Sequence, residues 1–141
     1  MIKLCYKEYP FKMSLKACKV FFDQTGLDLQ TVFMKYIAAC SKTMEMSLMD
    51  RLVYFSEIYT RDVACKALHS IISQENKNIP LAEIEDATFR VSWMATDNDD
   101  GLSEPWPLVM LDAALQINDY FSKEIEVKKT DTSDDTQQKM N

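Results

Sequence analysis

Glycine is nearly missing from this chain: Gly26 and Gly101 are the only two in 141 residues. Loops that cradle phosphate or carry a nucleophile need several glycines, because the backbone must enter left-handed conformations and approach a ligand without a Cβ in the way. The GxGxxG, GxxxxGK[ST] and GxSxG patterns are all absent, which excludes the familiar catalytic loops. Long hydrophobic runs are missing too. The longest, such as residues 36–40, are far too short to cross a bilayer. The N-terminus sets Lys3, Lys7 and Glu8 among aromatic residues in place of a continuous apolar stretch and cleavage site. The expectation is a cytoplasmic chain without a membrane span. Positive charge is scarce as well: 16 Lys and Arg stand against 22 Asp and Glu, a net charge of −6. No predicted helix offers the basic face that phosphate neutralisation requires, so protein partners are expected and nucleic acid is not.

Histidine is limited to His69, which leaves no His-based catalytic set beyond it. Cys5, Cys18, Cys40 and Cys65 form no CxxC pair and lie among apolar neighbours. They read as buried thiols, the rival reading being a disulfide framework. What the chain does have is core material, with 47% hydrophobic and 27% charged residues. At this length a single domain buries roughly 70% of its extended surface without a metal or disulfide staple.

The period of the apolar residues gives the layout. Ile2, Leu4 and Tyr6 alternate, then Phe11 and Met13 follow the interruption at Lys7-Glu8-Tyr9-Pro10, which predicts a small β-hairpin lying apolar face down on the helices. Ser14 caps a helix to about Gln24, ended by Gly26 as a left-handed residue. Asp28 caps the next, with Leu29, Val32, Phe33, Tyr36, Ile37 and Cys40 on one face, followed by a connection over residues 41–46. Ser47 and Asp50 form a start signal for a helix striped by Leu48, Leu52, Phe55 and Tyr59. Thr60-Arg61-Asp62 either continues that helix or restarts it, and the restart is favoured, with Val63, Ala67, Leu68, Ile71 and Ile72 as its face. Pro80 suits the first turn of a helix carrying Leu81, Ile84, Ala87, Val91 and Met94, with Glu83, Glu85 and Asp86 near its positive terminus. Residues 96–107 form a long loop, and the final helix places Leu108, Leu111, Leu115, Asn118 and Phe121 on its inner face. The fold class is therefore mainly α: a compact domain of five to six helices over residues 1–126 with an N-terminal β-hairpin, then a disordered polar tail over 127–141. Phe21, Phe33, Ile37, Leu52, Phe55, Leu68, Ile84, Val91, Leu111 and Leu115 are the expected core.

Candidate sites are few. The acidic run Asp97-Asn98-Asp99-Asp100-Gly101 fails as a calcium loop, because with Gly101 at the sixth position Thr96 and Pro107 fall at the first and twelfth, where carboxylates are needed. A solvated turn is the better reading. Cys65 and His69 share a helical face, the minimum for a metal pair or a thiolate and its base, but nothing in the sequence completes either site. No metal, cofactor or catalytic residue is expected. The nine methionines are more suggestive. Met44, Met46 and Met49 cluster at one helix start, while Met34, Met94 and Met110 lie on or near other apolar faces; such surfaces repack around varied apolar partners, though each methionine also serves as core filler. Trp106, between Pro105 and Pro107, reads as a plug closing the loop over the helices, with a partner-binding anchor as the second reading.

The order of segments also carries a resemblance. A short β segment, then Leu15-Lys16-Ala17 leading into Phe21-Phe22-Asp23-Gln24-Thr25-Gly26-Leu27-Asp28-Leu29, then compact helices with Ile84-Glu85-Asp86-Ala87 and a polar tail, resembles the tail assembly chaperones of long-tailed, non-contractile bacteriophages and gene transfer agents. The likeness spans roughly residues 4–120 as a layout. It implies a non-enzymatic protein of the host cytoplasm that coats the tape measure protein in many copies, yields to the major tail protein as the tube polymerises, and is absent from the mature virion. It also implies weak self-association into spirals or oligomers, and a longer product made by ribosomal frameshifting near Val127-Lys128-Lys129. Met44, Met46, Met49 and Trp106 are the partner-binding candidates. The alternative from another class is a small phage-borne adaptor or inhibitor that binds one host protein through a fixed surface.

Overall fold

The computed structural model describes residues 1–4, 7–90 and 105–140, with side chains through 89 in the first part and through 123 in the last. The described residues are mainly helical. Strands β1 (Ile2–Leu4) and β2 (Lys7–Tyr9) precede helices α1 (Leu15–Thr25), α2 (Leu29–Lys42), α3 (Leu48–Ile58), α4 (Arg61–Ile72), α5 (Leu81–Arg90) and α6 (Trp106–Met140). The mainly α class with an N-terminal hairpin is thus what the chain adopts. The second strand, however, is the Lys7–Tyr9 segment expected to interrupt the pair. β1 and β2 run antiparallel with Ile2 opposite Tyr9, Lys3 opposite Glu8 and Leu4 opposite Lys7. Ile2, Leu4 and Tyr9 are buried, so Tyr9, not Phe11, supplies the buried side chain of the second strand.

Each of the first four helices starts where a side chain satisfies an orphan N–H of its first turn. Ser14 accepts from Ala17, Asp28 from Thr31, Ser47 from Asp50 and Thr60 from Val63. Thr60 settles the restart between α3 and α4. Gly26 ends α1 at φ 72°, its N–H bonded to the Phe22 carbonyl at 2.7 Å. α2 runs through Ser41 and Lys42, so the connection shortens to 43–46. α5 begins just after Pro80, whose carbonyl accepts the Glu83 N–H at 3.1 Å.

α4 is the helix most enclosed by its neighbours, packing on α1, α5 and α6. Ala64, Cys65, Ala67, Leu68, Ser70, Ile71 and Ile72 are all buried, and the small residues among them let three helices approach at once. α6 packs across α2, α3, α4 and β1. The hairpin is fastened on its other side, Tyr9 Oη donating to Glu83 Oε2 at 2.9 Å and Lys7 lying 3.5 Å from the same oxygen. Next, the Lys12 N–H donates to the Ile71 carbonyl at 3.0 Å.

Phe21, Phe33, Leu52, Phe55, Leu68 and Ile84 are buried as expected and Ile37 is half-buried. The face of α6 is rotated from the predicted one. Val109, Met110, Ala113, Ala114 and Ile117 face the core, Leu111 is half-buried and Leu115 is 44% exposed. Alanines let α6 lie close against α2, whereas the larger leucines fit the flank of that contact. α6 also starts earlier, with Trp106 and Pro107 in its first turn rather than in the loop. Its backbone is helical as far as Met140, and residues 127–140 contain no Gly or Pro to break a helix. Val91, Met94 and the acidic loop lie outside the described residues.

Candidate functional site

The corner between α2 and α3 is built around one buried threonine. The Thr43 N–H and Oγ1 both donate to the Ala39 carbonyl, at 3.1 and 2.8 Å, which closes the last turn of α2. The Thr43 carbonyl then accepts the Met46 N–H at 3.0 Å and reverses the chain. From the first turns of α3, Arg51 reaches back: its Nε donates to Thr43 Oγ1 at 3.2 Å and Nη2 to Cys40 Sγ at 3.7 Å, with the guanidinium 6.0 Å from the Phe55 ring centroid. This bracing fixes the backbone on which Met44, Met46 and Met49 stand, all three exposed, Met44 by 73%. Leu48 and Val53 are exposed beside them in sequence. Five large apolar side chains within ten residues make this corner the densest exposed apolar segment among the described residues, and the methionine clustering marks it in the sequence.

Trp106 is the first residue of α6, half-buried and packed against the core. A second apolar surface escaped the sequence analysis. Two clefts of about 360 and 300 Å³ share walls made by Met13, Ile117 and Phe121. Phe11 and Tyr120 line the first, Phe33, Met34 and Ile37 the second. They arise because Phe11 and Met13 follow the hairpin without pairing in it and cross the end of the α2–α6 contact. The signal was present as two apolar residues outside any strand pair, beside an α6 stripe that runs on to Phe121.

The Cys65–His69 pair is engaged elsewhere. Cys65 Sγ lies 3.0 Å from Thr88 Oγ1, and burial pushes its thiol pKa up. His69 Nε2 lies 2.9 Å from the Ile79 carbonyl, where it donates as the Nε2–H tautomer. Among the described residues no three His, Cys, Asp or Glu side chains converge as metal ligands. Cys65 is a buried free thiol, while Cys18 and Cys40 are free and half-buried. No described helix is long and apolar enough to cross a membrane. In comparisons with known proteins, no family model, no curated protein and no solved structure matches the chain.

Proposed function

We propose that the chain is a phage tail assembly chaperone. In this reading many copies coat the long helical tape measure protein in the host cytoplasm and are displaced by the major tail protein as the tube grows, so that none remains in the virion. The observation that carries the reading is the α2–α3 corner, where Met44, Met46 and Met49 are exposed on a hydrogen-bonded frame. A protein that shields a long filament without a unique sequence to read needs unbranched, polarisable side chains that repack on varied apolar contacts. Each contact must also be weak enough to be displaced, with retention coming from many copies on one filament. Weak head-to-tail self-association would align those copies, since such an interface need not close into a ring. The net charge of −6 favours solubility of the coated filament.

The test is co-expression with the product of a long helical reading frame encoded downstream of this chain. The expected result is a soluble complex holding several copies per filament, lost on replacing Met44, Met46 and Met49 by serine and released by added major tail protein. A single copy bound to one folded host protein, with the filament insoluble whether or not the chain is present, would replace this reading by the adaptor.

A further inference from the structure

The guanidinium of Arg51 is pinned at the methionine corner without a counter-ion among the described residues. It is half-buried, held by Thr43 Oγ1, Cys40 Sγ and the Phe55 ring. Among the described residues only two of its five N–H donors are engaged. Among the described residues no carboxylate lies within ion-pair distance of it. Asp50 adjoins it in sequence, but that carboxylate sits in the first turn of α3, where the positive end of the helix favours it. Glu45 is exposed in the chain reversal.

The cation and the methionine segment are fixed to one another through Thr43. Thr43 Oγ1 accepts from Arg51 while the Thr43 carbonyl accepts from Met46, so guanidinium and methionine backbone hang on the same residue. Leu48, exposed, precedes Arg51 by three positions and therefore shares its helical face. A purely apolar partner laid over the methionines would strip water from a charged group and give nothing back, a penalty that opposes docking. A partner with a carboxylate at that point turns the same desolvation into a charge-assisted, fork-shaped hydrogen-bonded pair.

We infer that the α2–α3 corner takes an amphipathic helical segment of its partner whose apolar side chains cover Met44, Met46 and Met49 and whose Asp or Glu, one turn away on the same face, pairs with Arg51. This rests on the corner being the client-binding surface. It adds selectivity: acidic amphipathic segments are held more tightly than neutral or basic ones.

Two synthetic amphipathic helical peptides, identical but for one Glu or Gln beside the apolar stripe, test this by titration calorimetry against the full chain. The Glu peptide is expected to bind about tenfold more tightly than the Gln peptide, the scale of one charged hydrogen-bonded contact. In Arg51→Gln that preference disappears while weak binding of both peptides remains. Equal binding of the two peptides to the wild type, or a preference that survives Arg51→Gln, overturns the pairing while leaving the client-binding surface intact. If Arg51→Gln fails to fold, the comparison on the wild type decides alone. Unchanged binding of both peptides to Met44→Ser/Met49→Ser means the corner is not the surface, which removes this inference and its premise together. Neither peptide binding, with self-association lost in that double variant, makes the corner a contact between copies and overturns the inference.

Discussion

Tyr36→Phe is expected to stabilise this protein, an unusual direction for a change at a core tyrosine. Tyr36 is the largest fully buried side chain among the described residues. Its ring stacks on Phe55 with centroids 6.3 Å apart and planes 7° from parallel, and leans on Tyr59 at 6.4 Å. Its hydroxyl, in contrast, finds no hydrogen-bond partner among the described residues. Phenylalanine keeps both ring contacts and removes the stranded polar atom. Relieving that desolvation is worth about 1–3 kcal/mol, set against a few lost atom contacts of about 0.1–0.2 kcal/mol each. The net gain is about 1–2 kcal/mol, a rise in Tm of about 3–8 °C. The pH dependence carries the same signature. Burial, and then the charge influence of Tyr59, raise the Tyr36 phenol above its ordinary value of about 10. Above about pH 10 the unfolded chain releases this proton first and the native state holds it, so wild-type stability falls as pH rises. Without the phenol that component vanishes, and the advantage of the variant widens with alkalinity. Urea unfolding of both proteins near neutrality and above about pH 10 measures this. A variant less stable than wild type by more than about 1 kcal/mol at neutral pH would mean that the hydroxyl is satisfied after all, refuting the reasoning.

Met110→Ala is expected to cost about 2–5 kcal/mol and Leu115→Gln less than about 0.5 kcal/mol, because Met110 is fully buried and Leu115 lies 44% exposed; the reverse order in chemical denaturation would restore the leucine face of α6. Gly26→Ala should lose about 1–2 kcal/mol from backbone conformation alone, since φ is 72° and an added Cβ meets nothing within 4 Å. A near-neutral result there would mean that the turn relaxes. Phe55→Ala removes the stacking partner of Tyr36 and should lower stability by about 3–5 kcal/mol, read from the denaturation midpoint. Alkylation of the native protein should leave Cys65 unmodified until unfolding, because it is buried and its thiol pKa is raised; rapid labelling would show that α4 and α5 part under native conditions.

The helix starts were legible because they are local chemistry. Ser14, Asp28 and Ser47 each hold an N–H three residues on, a spacing the sequence displays, whereas Thr60 does the same at a point where the sequence left continuation and restart both open. Gly26 was legible for the same reason. The face of α6 was not, since Ala113 and Ala114 give almost no hydropathy signal while Leu111 and Leu115 give a strong one. Which residues an α-helix buries there depends on how closely α2 approaches, a tertiary fact. The exposed methionine cluster was visible as a count, but Arg51 was not, because its hold on Thr43 and Cys40 spans 8 and 11 positions and follows no helical period. The clefts beside Phe121 needed the crossing of the 11–13 segment over two helices, which no window of sequence contains.

Thr43 divides the freedom available at its corner into two unequal parts. The main chain there is ordered before any encounter, through bonds to Ala39, Met46 and Arg51, so no backbone entropy of about 1–2 kcal/mol per residue remains to be surrendered on contact. The methionine rotamers are still open, and only they must settle. On the proposed reading, such a surface would accept many apolar shapes, leaving Arg51 to select by charge, and would let go quickly, because nothing has to refold in either direction. Loosening Thr43 would therefore change residence time and tolerance together, even with every methionine in place.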